Sequence, residues 1–220
     1  MKTCFYFIFL IGFYSFAQND TIAVEQVFDK KYLEDQLYIS LSYQRLINLP
    51  DEIDQTGFSY SFSVGFIKDI PLNKNRNVGL GTGLGYNLNI HYFRVKNIED
   101  PGEDKSRSSN KVVLNMLEFP IEFRIRNSSP SKYHFWRFYP GLKFNYSFYN
   151  SSNIKQSENF DVFDVIDIND FQYGISLAAG YNKWNIYCYY GLSDLFNESE
   201  NYIKAISVNE VKIGIIFYPL

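Results

Sequence analysis

From Val78 to Tyr92 the sequence alternates without a break. Val78, Leu80, Thr82, Leu84, Tyr86, Leu88, Ile90 and Tyr92 are large and mostly apolar, while Gly79, Gly81, Gly83, Gly85, Asn87, Asn89 and His91 lie between them. A period of two puts the two sets on opposite faces of one strand. Strands in soluble sheets usually run about 5 or 6 residues, so a strand this long crosses something thicker than an ordinary core. A bilayer fits. A spanning strand needs roughly 9 to 11 residues, apolar toward lipid and small or polar toward a lumen, with aromatic girdles where lipid meets water.

The pattern recurs along the chain. A first segment, about Leu37 to Leu46, sends Leu37, Ile39, Leu41 and Tyr43 outward and Tyr38, Ser40, Ser42 and Gln44 inward. A second starts at Gly57 and stops near Asp69, with Phe58, Tyr60, Phe62, Val64 and Phe66 opposing Ser59, Ser61, Ser63 and Gly65. The glycine-spaced run is the third. A fourth, about Val112 to Arg126, sets Leu117, Phe119, Ile121, Phe123 and Ile125 against Glu118, Glu122, Arg124 and Arg126. A fifth, about Tyr133 to Tyr149, sets Trp136, Phe138, Leu142, Phe144, Tyr146 and Phe148 against Arg137, Tyr139, Gly141, Lys143, Asn145 and Ser147. Pro120 and Pro140 each remove a ladder donor, which marks local bulges or breaks inside these two strands. The sixth and seventh, about Asn169 to Tyr181 and Trp184 to Ser193, are joined by Asn182 and Lys183 alone, as in a two-residue hairpin. In the eighth, about Ser207 to Tyr218, Val211, Ile213, Ile215 and Phe217 alternate with Glu210, Lys212, Gly214, Ile216 and Tyr218. The fold class that follows is all-β: a transmembrane up-and-down antiparallel β-barrel of eight strands, outer-membrane type, over residues 37–220.

The connections Asp69–Asn77, Asn127–Lys132 and Asn182–Lys183 are short, whereas Lys96–Lys111 and Asn150–Ile168 are long and polar. Such barrels have short periplasmic turns and long extracellular loops, which places both termini in the periplasm. Antiparallel pairing across the Asn127–Lys132 turn sets Glu122 about opposite Arg137, and the Asn182–Lys183 turn sets Tyr181 opposite Trp184.

At 19% aromatic, with 21 Phe and 19 Tyr, the chain is far from average globular usage. Its slightly polar mean hydropathy is no counter-argument, because alternating strands average their two faces. Residues 1–17 read as a signal peptide: Lys2, an apolar run from Cys4 to Phe16, and Ser15-Phe16-Ala17 ahead of cleavage after Ala17. Residues 18–36 form a charged periplasmic arm. Loss of Lys2 takes the formal charge from 21 minus 24, or -3, to 20 minus 24, or -4, which gives nucleic-acid binding no support. Cys188 is then the one cysteine left, so an intrachain disulfide is excluded.

Four constellations invite a chemical reading. The glycines of the third segment lack the strand, turn and helix of a phosphate loop, and fit better as space cleared in a crowded lumen. His91 and His134, the two histidines, fall near opposite membrane interfaces and cannot share a site, so they read as interfacial polar residues. Glu118, Glu122, Arg124, Arg126, Arg137, Lys143, Glu210 and Lys212 all point inward with both signs, as in a salt-bridge network that fills a small barrel. Glu158, Asp161, Asp164, Asp167 and Asp170 form an acidic loop without the glycine and ligand spacing of a calcium loop. No catalytic residue, cofactor or metal ligand emerges.

Several segments then carry a resemblance. Tyr32-Leu33-Glu34-Asp35-Gln36, Gly65-Phe66-Ile67-Lys68-Asp69-Ile70-Pro71-Leu72-Asn73, Leu117-Glu118-Phe119-Pro120-Ile121-Glu122-Phe123-Arg124 and Phe135-Trp136-Arg137-Phe138-Tyr139-Pro140-Gly141 resemble the PorT/SprT family of Bacteroidota outer-membrane barrels, over nearly the whole mature chain. The resemblance implies a non-enzymatic component of type IX protein secretion, in some members also of gliding motility, and brings no catalytic residues. The partners in view are outer-membrane lipid, lipopolysaccharide and other secretion components, around a monomeric barrel. The competing readings are a small outer-membrane barrel with a structural or lipid-modifying role unrelated to secretion, and a soluble lipocalin-like barrel with its aromatic face inward.

Overall fold

The computed structural model describes residues 37–49, 53–95, 110–127, 136–153, 168–197 and 207–219, all within the compact unit Lys31–Leu220. The expected signal peptide and arm, His134 and most of the acidic segment Glu158–Asp170 lie outside these residues. The described residues form the strands β1 (Leu37–Ile47), β2 (Ile53–Gln55), β3 (Tyr60–Pro71), β4 (Val78–Val95), β5 (Asn110–Arg126), β6 (Trp136–Asn153), β7 (Phe171–Tyr181), β8 (Trp184–Gly191) and β9 (Asn209–Phe217). All pairings are antiparallel. Eight strands run β1-β3-β4-β5-β6-β7-β8-β9 around the barrel, and β9 pairs back onto β1. The three-residue β2 is an addition that the alternation does not signal; it pairs with the far end of β4. Gln55 also accepts from Leu46 N at 2.8 Å and donates to Gln44 O at 3.0 Å, so β2 ties the end of β1 to β4.

Burial follows the period of two, with polarity reversed relative to a soluble protein. Ser40, Ser42 and Gln44 are buried while Leu37, Ile39 and Leu41 are exposed, and β3, β4, β6, β7 and the Leu117–Arg126 part of β5 show the same inversion. Leu84, Leu142, Ile186 and Ile213 are 53%, 44%, 65% and 58% exposed. An apolar surface of this extent has to be covered by something, and a soluble monomer offers nothing to cover it. Aromatic rings bound it. At the end with short connections, Trp136, Tyr181, Trp184 and Phe217 are successive register partners across β6, β7, β8 and β9, with ring centroids 5.4 Å apart for Trp136–Tyr181 and 5.0 Å for Trp184–Phe217. Near the long connections, Phe58 lies 5.1 Å from Tyr43 and 6.4 Å from Tyr60. Along β6, Trp136 and Tyr146 both point outward. The residues between them, at about 3.3 Å rise each and a tilt of about 40°, span about 25 Å, the height of a hydrocarbon band.

Two register expectations come out differently from each other. Tyr181 does oppose Trp184. Glu122, however, opposes Gly141, and Arg137 opposes Arg126. The β5–β6 hairpin closes where Asn127 N donates to Trp136 O at 3.1 Å, beyond the expected turn end at Lys132, and this displaces the pairing. The displacement is even, so no side chain changes face. The prolines cause breaks but no bulges. Pairing between β4 and β5 skips from Thr82–Ile121 to Gly85–Glu118 across Pro120, and pairing between β5 and β6 skips from Glu122–Gly141 to Ile125–Phe138 across Pro140, with register unchanged. Each proline keeps its partner on the other side, Lys143 for Pro120 and Leu177 for Pro140. A missing N–H thus interrupts one ladder only. The register shift in β5 sits elsewhere, between Asn115 and Met116.

Candidate functional site

The barrel interior is arranged in tiers along its axis, each set by strand parity. Next to the long connections lies an apolar cluster of Leu46, Phe93, Val112, Leu114, Met116, Ile168, Leu195, Phe196 and Val208. Sequence reasoning missed it, having assigned the inward positions of β5 only from Glu118 onward. A signal was present: Lys111 and Asn115 occupy outward positions of β5, which marks this part of the strand as lying beyond the lipid.

Below the cluster, the Lys212 ammonium contacts Glu210 at 3.1 Å and Asn89 Oδ1 at 2.9 Å, and lies 5.2 Å from the Tyr189 ring centroid. His91 Nε2 is 3.4 Å from Glu210 Oε1. At 1% exposed, His91 lies in the barrel interior, on the inward face that the alternation of β4 gives it. His134 lies outside the described residues.

The middle tier centres on Glu118. Its Oε1 accepts from Lys143 Nζ at 2.9 Å and from Tyr38 Oη at 2.7 Å, and its Oε2 accepts from Asn87 Nδ2 at 3.3 Å. Lys143 also lies 4.6 Å from the Tyr187 ring centroid. The register explains how Tyr38 reaches across. Tyr38 opposes Gly65, Gly65 opposes Gly85, and Gly85 opposes Glu118, so the phenol on β1 crosses two strands to reach β5. A Cβ at Gly65 would stand 2.5 Å from Tyr38 Oη, and one at Gly85 would collide with the same atom. The glycine run therefore clears a track for a specific side chain. Gly81 does the same for Arg124, whose Nε would be 2.5 Å from a Cβ there.

Nearer the short connections, Glu122 Oε2 accepts from Arg124 Nε at 3.1 Å and Nη2 at 3.0 Å. The two residues are separated by one position, so they share a face of the strand. The Arg124 guanidinium lies 5.0 Å from the Tyr139 ring and 5.7 Å from the Tyr218 ring, and Tyr218 Oη donates to Glu122 Oε1 at 3.3 Å. The last tier pairs Arg126 with Asp69, while Arg126 Nε donates to Arg76 O at 2.9 Å. Asp69 is a member that sequence reasoning took for a strand end. The alternation Ser59, Ser61, Ser63, Gly65, Ile67, Asp69 already places it inward, and β3 continues to Pro71.

The tiers hold together Glu118 with Lys143, Glu122 with Arg124, and Glu210 with Lys212, and place Arg137 buried at the short-connection end, across from Arg126. Tyr38, Tyr139, Tyr187, Tyr189, Tyr218, Ile67 and Ile216 form a second buried cluster around them. Eight strands enclose just enough width for side chains to fill, and here bulky and ion-paired side chains fill it. Such an interior positions and stabilises strands. Among the described residues no group of three or more His, Cys, Asp or Glu is placed to hold a metal ion.

Comparison with known families agrees with this geometry. Residues 16–197 match the family described as outer membrane protein beta-barrel domain. The chain belongs to that family. No curated protein matches it. In an outer-membrane barrel the exposed apolar belt faces acyl chains, and the row Trp136, Tyr181, Trp184, Phe217 lies at the level of the lipid head groups. The soluble lipocalin-like alternative required the aromatic face to point inward, and the structure points it outward.

Proposed function

We propose that this outer-membrane barrel is a non-enzymatic, monomeric component of type IX protein secretion, with both termini in the periplasm and extracellular long loops. The observation that carries the reading is the occupied interior. Paired ions, tyrosines and an apolar cluster take up the lumen, so the barrel works through the surfaces it presents, namely its periplasmic arm, turns and loops, and not as a conduit. The assignment to type IX secretion is supported by the four resembling segments, among them Leu117–Arg124 and Phe135–Gly141. Its partners are other secretion components and the lipid and lipopolysaccharide around it.

Deletion of the gene tests this. Type IX cargo should remain in the periplasm while the rest of the outer-membrane protein profile is unchanged; normal cargo export contradicts the reading. The lipid-modifying alternative needs a reactive group at a lipid-accessible rim, and His91 is instead enclosed beside Glu210.

A further inference from the structure

His91 is an imidazole closed off from water in the tier just below the apolar cluster of the long-connection end. Its Nε2 stands 3.4 Å from Glu210 Oε1, yet among the described residues both ring nitrogens and that carboxylate oxygen are without a hydrogen bond. Buried polar atoms are nearly always hydrogen-bonded, so three orphans in one place call for a physical reason. Lys212 takes the other carboxylate oxygen, Glu210 Oε2, at 3.1 Å, which leaves Oε1 as an open acceptor facing the imidazole. A neutral imidazole carries one N–H, whereas the imidazolium carries two and makes the stronger, charge-assisted bond to a carboxylate. We propose that His91 is a proton-operated latch. With the extra proton it takes Glu210 Oε1 and ties β4 to β9 beneath the apolar cluster; without it the tie is released and the long-connection end of the barrel loosens.

The surroundings single out His91 as the group that changes charge. Among the described residues, β9 supplies Glu210 and Lys212 to this tier and β8 supplies Tyr189. The other neighbouring strands bring uncharged groups: Gln44 of β1 donates to Ile90 O at 2.9 Å, Ser59, just ahead of β3, accepts from Tyr92 N at 3.0 Å, and Val112 of β5 opposes His91. Histidine is the side chain whose ordinary charge change falls between about pH 5 and about pH 8, so the latch holds in acid and opens as the pH rises. Both of its ends carry the apolar cluster. β4 and β9 are separated in the wall by β3 and β1, so a bond between them reaches across the interior and duplicates no ladder. The Phe93 ring centroid lies 6.4 Å from that of His91, and Leu46 opposes Glu210, with Val208 just ahead of β9 on the same chain. All three belong to the cluster. Leu195 N donates to Val208 O at 2.9 Å and Ile168 bridges Phe196, so the bases of two connections rest on the residues that the latch holds.

The test uses the full chain folded in detergent micelles, carrying His134→Gln so that His91 is the sole histidine. In urea unfolding, lowering the pH from about 8 to about 5 should favour the folded state of this chain on the order of tenfold more than it favours the same chain with His91→Gln. A pH response shared equally by the two chains overturns the proposal. Amide hydrogen exchange at Phe93 and Val208, corrected for the pH dependence of the intrinsic rate, should slow in acid with His91 present and not with His91→Gln. Exchange indifferent to that substitution refutes the tie to the cluster and the latch with it. Should His91→Gln not fold, the imidazole is followed directly by carbon NMR of labelled histidine in the parent chain. Its ring signals must move over the same pH range, and constant signals refute the proposal.

Discussion

Lys143 is an ammonium group inside a membrane barrel, and it is held there by Glu118 and two tyrosine rings. Removing one member of such a buried pair leaves the other charge uncompensated. Lys143→Met should therefore cost about 3 to 5 kcal/mol in urea unfolding from detergent micelles, and Lys143→Met with Glu118→Gln should cost less than Lys143→Met alone. The track across Gly65 and Gly85 makes a second prediction. Tyr38→Phe removes the hydroxyl bonded to Glu118, at about 1 to 3 kcal/mol. Gly85→Ala displaces the same ring, so the double variant should lose less than the sum of the singles in the same unfolding assay. At this scale the sequence showed which way each side chain points but not what it meets. Glu122 and Arg137 were assigned to each other on the basis of a turn length, and the longer turn gave Glu122 to Arg124 and set Arg137 across from Arg126. Partner choice depends on registers that accumulate around the whole barrel, which no single segment encodes.

Strand positions were far more legible, because a period of two sustained over a dozen residues fits an extended strand with two unlike faces and fits a helix of period 3.6 badly. The ends were less so. β4, β5 and β6 run to Val95, from Asn110 and to Asn153, beyond the lipid belt, where outward residues turn polar and the alternation fades. β2 was missed for the same reason, since three residues are too few to display a period. The β7–β8 hairpin is the best defined turn. Asn182 has a φ of 58° and is the first of its two loop residues. Asn tolerates this left-handed conformation, Gly adopts it without cost, and a β-branched residue resists it. Asn182→Gly should leave the unfolding midpoint unchanged or slightly raised, and Asn182→Val should cost about 1 to 2 kcal/mol.

For the molecule as a whole, the central claim is that the exposed apolar belt faces acyl chains. Depth then decides what a charge costs. Leu142 lies near the midplane and Trp136 at the rim, so Leu142→Arg should destabilise the barrel in vesicles by about 2 to 4 kcal/mol and Trp136→Arg by about 0 to 1. Equal costs would mean that the belt is not immersed. The most direct measurement is a nitroxide scan along β6 from Trp136 to Phe148, in a background with Cys188 replaced, in lipid vesicles. Collision with oxygen, which concentrates in the bilayer, should alternate with a period of two and peak near Leu142, while the outward labels stay inaccessible to a water-soluble nickel chelate. Labels at Leu142 and Phe144 that collide freely with the chelate would contradict the account.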